Sequence, residues 1–331
     1  MLMRKLIALV LVTVVTSVVV GARWWYGTTT WTGQPQVLVV EQGASMGQVA
    51  DTLARQGMVT APALFAFIGR LTGADRGIRA GHYQIEEAMS PRALMRLLVS
   101  GEAHSYKITL VEGKTFKELL LTVQGHPHVR SELDGVDDPW IAKTFAEVNG
   151  PEGWLFPDTY YFLANTTDQA IIMRAYQAML STLDQVWENR AENLPISTPY
   201  QALILASIIE KETSLGSERA DIAGVFIRRL QKSMRLQTDP TIIYGLGERY
   251  QGDITRAHLR DKNNIYNTYQ HGGLPPTPIA SPGRASLEAA VRPKQGTALY
   301  FVADGEGGHV FSDTLAEHER AVRAYLNKQK Q

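Results

Sequence analysis

Cysteine is absent from the 331 residues. That excludes a disulfide scaffold, a thiolate nucleophile, Cys-ligated zinc and iron–sulfur clusters. Neither sign of charge is in surplus: Lys plus Arg is 33 and Asp plus Glu is 33. A dedicated nucleic-acid binder needs a basic excess, so no nucleic-acid partner is expected. No G-x-x-x-x-G-K-[ST] or G-x-G-x-x-G run occurs, so nucleotides have no recognisable cradle. His-Glu-x-x-His and Gly-x-Ser-x-Gly are missing too, and His126-Pro127-His128 alone lacks metal-site spacing. No metal and no cofactor are expected. What remains is an ordinary globular mix, 44% hydrophobic and 20% charged, in a chain long enough for two domains.

The first segment is different in kind. Leu6 to Ala22 carries no charge and is mostly Leu, Val and Ala. With Trp24, Trp25 and Tyr26 it makes a helix of roughly 30 Å, about one hydrocarbon core. Arg4 and Lys5 precede it, and Arg23 is the one basic residue between it and Arg55. The positive-inside rule places residues 1–5 as a cytoplasmic tip, 6–26 as a single-pass anchor, and the rest beyond the membrane. The aromatic trio suits an interfacial belt. Val20-Gly21-Ala22 also resembles a signal-peptide cleavage site, although bulky aromatics directly after it fit cleavage poorly.

Residues 27–35 read as a polar linker. An apolar strand, a tight turn, a Ser/Thr cap and an amphipathic helix then recur three times. The strands are Val37–Val40, His82–Ile85 and Ile108–Val111, and the caps are Ser45, Ser90 and Thr115. Ser45-x-x-Gln48 and Thr115-x-x-Glu118 have the form of capping boxes. With the apolar helix Ala61–Leu71 between the first two copies, residues 36–101 suggest a small βααβ module, either a packing unit or a glycan-contacting one. Residues 105–331 read as a larger mixed α+β domain. It includes a long helix over Ala170–Trp187, a hairpin over Leu299–Ser312 and a last helix over Thr314–Leu326.

One helix in this domain carries chemistry. Thr198 caps it, Pro199 opens it, and Leu203–Ile209 is apolar nearly all round, so it must be buried. It ends at Glu210-Lys211-Glu212-Thr213. At about 100° per residue, Glu210 shares the face of Leu203, Ala206 and Ser207, while Glu212 lies about 200° away. Small Ala206 and Ser207 leave room beside Glu210. A carboxylate at the end of a buried helix, on the negative pole of its dipole, suits a general acid. The structural alternative pairs it with Lys211, Arg219 or Arg228. The second half is also rich in amides, hydroxyls and flat aromatic faces, such as Tyr266-Asn267-Thr268-Tyr269, which suit a sugar groove and equally suit rigid turns.

Leu205–Thr213, Glu218-Arg219, Met234–Thr241 with Tyr244-Gly245, Tyr266–Tyr269, Gly273–Pro276, Ile279-Ala280-x-Pro282-Gly283 and Tyr300–Ala303 follow in one order. Together with Glu152–Tyr160 they resemble the endolytic murein transglycosylases of the MltG (YceG-like) type. The resemblance spans the chain, anchor included. It implies a LysM-like module at 36–101 and a catalytic domain at 105–331. It also implies Glu210 as the single acid, then base, cleaving the bond between N-acetylmuramic acid and N-acetylglucosamine to leave 1,6-anhydro ends. Endolytic cutting, termination of nascent strands and association with peptidoglycan synthases come with it. Gln237, Thr238, Tyr266, Asn267 and Glu152 are the candidate substrate contacts. Two other readings stand: a noncatalytic peptidoglycan-binding scaffold, and a hydrolase with a second carboxylate such as Glu218 or Asp239.

Overall fold

A computed structural model describes residues 2–28, 36–41 and 43–329. The expected linker therefore lies, from residue 29 on, outside the described residues. The architecture is mixed α+β with one long apolar helix at the N-terminus, α1 (Leu2–Tyr26). By length and composition α1 can cross a membrane, with a mean hydropathy of 2.4 and exposed Leu and Val side chains along it. The chain divides into two compact units, residues 1–107 with 161–166, and residues 108–160 with 167–331.

In the first unit the order after α1 is β1 (Gln36–Val40), α2 (Met46–Arg55), α3 (Pro62–Leu71), β2 (Gly81–Ile85) and α4 (Pro91–Ser100). β1 and β2 pair antiparallel, with Leu38 opposite Tyr83 and Val40 opposite Gly81. Alternation along β1 turns Leu38 and Val40 inward and leaves Val37 and Val39 exposed. The core is Leu38, Val49, Leu53, Phe65, Tyr83, Leu94 and Leu98. Helix starts follow their caps: Ser45 and Gln48 close a full capping box, and Ser90 accepts from the Ala93 amide. The aromatics that end α1 are drawn onto this unit. Trp24 donates to Thr60 Oγ1 at 3.0 Å, Trp25 packs 6.4 Å from the Phe65 ring, and Arg92 stacks over Tyr26.

β3 (Ser105–Thr109) starts three residues earlier than the sequence pattern suggests. Leu110 has already left it to donate to Asp158 O. The chain then continues with α5 (Phe116–Gln124), β4 (Val129–Arg130), α6 (Pro139–Thr144), β5 (Thr159–Leu163), β6 (Thr166–Thr167) and α7 (Asp168–Glu188). After these come α8 (Pro199–Glu212), α9 (Arg219–Gln231), α10 (Asp239–Leu246), α11 (Arg256–Arg260) and α12 (Arg284–Val291). The expected hairpin follows as β7 (Tyr300–Ala303) and β8 (His309–Ser312), and α13 (Leu315–Lys328) closes the chain. Among the described residues every sheet is two-stranded, so the core is helical. Its axis is α8, buried from Ala202 to Ile209 and packed by α7, α9, α10 and α12. Thr198 caps α8 through the Gln201 amide. Gln201 does not close a capping box with Thr198, because its Oε1 accepts one residue earlier, from Ser197 N.

Asp168, fully buried at the start of α7, accepts from the amides of Glu132, Leu133 and Gln169 and from Gln124 Nε2. Asp168→Ala would leave those donors without an acceptor. Denaturant unfolding of the full chain should show a loss of roughly 2–5 kcal/mol for this variant.

Candidate functional site

The end of α8 is built by three segments distant in sequence. Ser207 and Glu210, one turn apart on the same face, both hold the strip Ile279–Gly283. Ser207 Oγ accepts from Ile279 N at 3.0 Å and donates to Ile204 O; Glu210 Oε2 accepts from Gly283 N at 2.9 Å. The space expected beside Ala206 and Ser207 is therefore filled by backbone, and Ser207 is a fastener. The strip is in turn stitched to the Glu112–Lys114 turn, by Gly113 N to Ser281 O at 2.9 Å and Ser281 N to Lys114 O at 2.8 Å. Gly113 has φ of +75°, a conformation that favours glycine, and Lys211 Nζ donates to its carbonyl.

Glu210 is an acceptor at both oxygens. Besides the Gly283 amide it takes Arg219 Nη2 at 3.2 Å. Of the three partners left open for it, Arg219 is the one used. The Glu210 side chain is 4% exposed and that of Arg219 12%. The same Arg219 nitrogen lies 3.5 Å from Glu112 Oε1, whose side chain is 52% exposed. Glu112 escapes the sequence reading because it sits in what looks like an ordinary tight turn. Only its neighbour Gly113 hints at special backbone.

Glu218 and Asp239 are engaged elsewhere. Glu218 accepts from the His309 backbone amide at 2.9 Å and lies 2.7 Å from the His309 ring. Asp239 accepts from the Tyr269 hydroxyl at 2.8 Å.

The other candidates form two groups. Glu152 accepts from Phe116 N, Gly153 N and the Tyr244 hydroxyl. Tyr244 meets Tyr266 edge-on at 4.8 Å, and the Tyr266 hydroxyl pairs with Thr277. Glu152 and Tyr266 thus belong to one network. Burial pushes the Glu152 carboxyl up to about 7, with the hydrogen bonds opposing it.

The second group joins Gln237 and Thr238 to Asn267 and Thr268. Gln237 N donates to Thr268 O, and Thr238 N donates to Thr268 Oγ1. Gln237 is exposed and has φ of +50°, an uncommon conformation for a side-chain-bearing residue. Thr238 is buried, and its hydroxyl donates to Glu212. Burial pushes the Glu212 carboxyl up to about 7 as well, and the Asp239 charge adds to it. Asn267 is fully buried. Its amide nitrogen donates to the carbonyls of His258, Leu259 and Asp261, and its oxygen accepts from Tyr269 N. Every one of those contacts is to backbone, at the end of α11 and in the loop that follows it. Among the described residues no cluster of three His, Asp or Glu is placed to hold a metal ion.

Glu152 and Glu212 link stability to pH. Between the ordinary 4.5 and about 7, each folded carboxyl keeps a proton that the unfolded chain has released. Stability therefore falls as pH rises through that window and levels off above it. Glu152→Gln removes one of the two contributions. Melting curves between about pH 4.5 and about pH 7.5 should show a smaller drop in Tm for this variant than for the wild type.

The YceG-like family profile matches residues 38–324. An endolytic murein transglycosylase of Bacillus subtilis is 30% identical over 308 residues, covering 87% of this chain and 84% of the relative. One from Streptococcus pneumoniae is 27% identical over 322 residues; the match takes in 87% of this chain and 58% of that longer protein. A crystal structure of a yceG-like protein from Listeria monocytogenes superimposes with a TM-score of 0.54 at 27% identity, over 87% of this chain and 99% of that one. With nearly its whole length after α1 matched in this way, the chain belongs to the YceG-like family.

Proposed function

We propose that Glu210 is the general acid, and then the base, with which this peptidoglycan lytic transglycosylase cleaves the MurNAc–GlcNAc bond inside glycan strands. The observation that carries the reading is the fixing of one nearly buried carboxyl between Arg219 Nη2 and the Gly283 amide. A group held this firmly acts from one position on both proton transfers. In the first, the Glu210 proton goes to the bridging oxygen. The bond from that oxygen to the muramic anomeric carbon breaks, its electron pair staying on the oxygen. In the second, the Glu210 carboxylate takes the proton of the muramic 6-hydroxyl, whose oxygen closes on the anomeric carbon. The product is a 1,6-anhydro ring, and no water is consumed. Because the nucleophile is tethered to the sugar under attack, the site has no water to position. That is why one acid–base group can serve where hydrolases use two flanking carboxylates.

The rest of the chain fits the same task. The length and apolarity of α1, with Arg4 and Lys5 ahead of it, support a single-pass anchor with a cytoplasmic N-terminus and the remainder in the periplasm. The first unit, with its two paired strands and capped helices, is read as a LysM-like glycan-contacting module. Peptidoglycan synthases are the proposed working partners, and termination of nascent glycan strands the proposed role.

The proximity of Glu112 to Arg219 favours one second reading, a muramidase hydrolase using Glu112 and Glu210 together. Mass spectrometry of the released fragments separates the two, because hydrolysis adds one water per bond cut and leaves a muramic reducing end where the transglycosylase leaves an anhydro ring. For Glu210→Gln, which can still accept from the Gly283 amide, the expected result is a retained fold with turnover reduced roughly a hundredfold or more. Release of anhydromuropeptides at the wild-type rate by that variant refutes the assignment.

A further inference from the structure

Glu210 is not the one carboxylate at the end of α8. Arg219 Nη2 stands between two, 3.2 Å from Glu210 and 3.5 Å from Glu112. The two differ in access: the Glu210 side chain is almost closed off, and that of Glu112 is half exposed. They also flank the same point of backbone. A Cβ built on Gly283 would collide with Glu112 Oε2 and stand 3.5 Å from Glu210 Oε2. Gly283 has φ of −76°, which any residue can adopt, so its lack of a side chain is what lets Glu112 approach. The cations nearby are committed to other partners: Lys211 to Gly113 O and Lys114 to Glu118. Among the described residues Arg219 alone is paired with both acids.

We propose that Glu112 is a second catalytic carboxylate, whose negative charge faces the sugar and stabilises the oxocarbenium-like transition state. The proposal rests on the transglycosylase reading of Glu210. Its warrant is charge balance. While Glu210 holds its proton, Arg219 and Glu112 neutralise each other. As the proton leaves for the bridging oxygen, the site gains one negative charge and the sugar ring one positive charge. A single guanidinium cannot neutralise two carboxylates. Arg219 turns to the buried Glu210, where an uncompensated charge costs more, and the exposed Glu112 is left to face the cation. Glu112 forms no covalent bond and moves no proton. Its contribution is present in the transition state and largely absent from the neutral ground state, which raises kcat rather than binding.

The test is steady-state turnover of the full-length protein on purified glycan strands, with fragments identified by mass spectrometry. Glu112→Gln should lower kcat about tenfold to a hundredfold, with KM changed less than about twofold and the product mass unaltered. Glu112→Asp should recover part of the loss. Gly283→Ala, which keeps the amide to Glu210 but displaces the Glu112 carboxylate, should lower kcat in the same direction. The proposal is overturned if Glu112→Gln keeps wild-type kcat while Glu210→Gln is inactive, or if the whole effect falls on KM. If Glu112→Gln fails to fold, Gly283→Ala decides, and wild-type kcat in that variant overturns the idea equally. A wild-type protein that releases no anhydro ends would instead refute the Glu210 reading itself, a result distinguishable from the others.

Discussion

The second unit depends on how a carboxylate is kept at the end of an apolar helix. Glu210 sits at the C-terminal end of α8, where unpaired carbonyls already concentrate negative potential. Leaving a charge there without a partner would cost several kcal/mol by the usual scale of buried ions. Arg219 and the Gly283 amide offset that cost, and both come from elsewhere in the chain. Arg219 opens α9, so the turn between α8 and α9 must return to the end of α8. Gly283 ends a strip that Ser207 fastens one helical turn below. One buried acid therefore dictates the course of the chain after α8 and the docking of the segment that leads into α12.

The two acids of the α8 terminus divide along the helix angle. Glu210 and Glu212, about 200° apart, meet different neighbours. Glu210 meets a guanidinium and an amide. Glu212 meets the Thr238 hydroxyl and the Asp239 charge. Glu152 resembles Glu212: it is pushed up by burial and held by two amides and a tyrosine hydroxyl. These two read as hubs that join loops to helices, and their hydrogen bonds go to the protein itself. Motif position alone had grouped Glu152 with the sugar contacts. Its neighbours show how a loop acid can instead be committed to holding Phe116 and Tyr244 in place.

Local signals in the sequence were legible where local chemistry produces them. Ser45, Ser90, Thr115 and Thr198 all cap the helices their spacing implies, because capping is decided within four residues. The apolar run of α8 and the hairpin of β7 and β8 were legible for the same reason, as was Glu210 as the charge that ends a buried helix. What was not legible is long-range. Glu112 is 98 residues from Glu210 and carries no periodicity of its own. The room imagined beside Ala206 and Ser207 is taken by Ile279–Gly283, which no helical wheel can place. Asn267 is a candidate sugar contact by its motif, and its side-chain amide bonds to the backbone at the end of α11. Trp24 and Trp25 fit an interfacial belt by type, yet both find partners in the first unit's core.

Gly283 acts on the end of α8 in two ways. Its amide fixes the acid, and its missing side chain admits a second carboxylate to the same guanidinium. Alanine there would keep the first function and remove the second, since the backbone angles are ordinary and the obstacle is one methyl group. The Ser281-Pro282-Gly283 turn reads in sequence as a rigid connector. In the proposed mechanism its rigidity has a further use: a proton donor and acceptor in one group must keep its place through both transfers, and a strip pinned to α8 and to the Glu112–Lys114 turn holds that place from two sides.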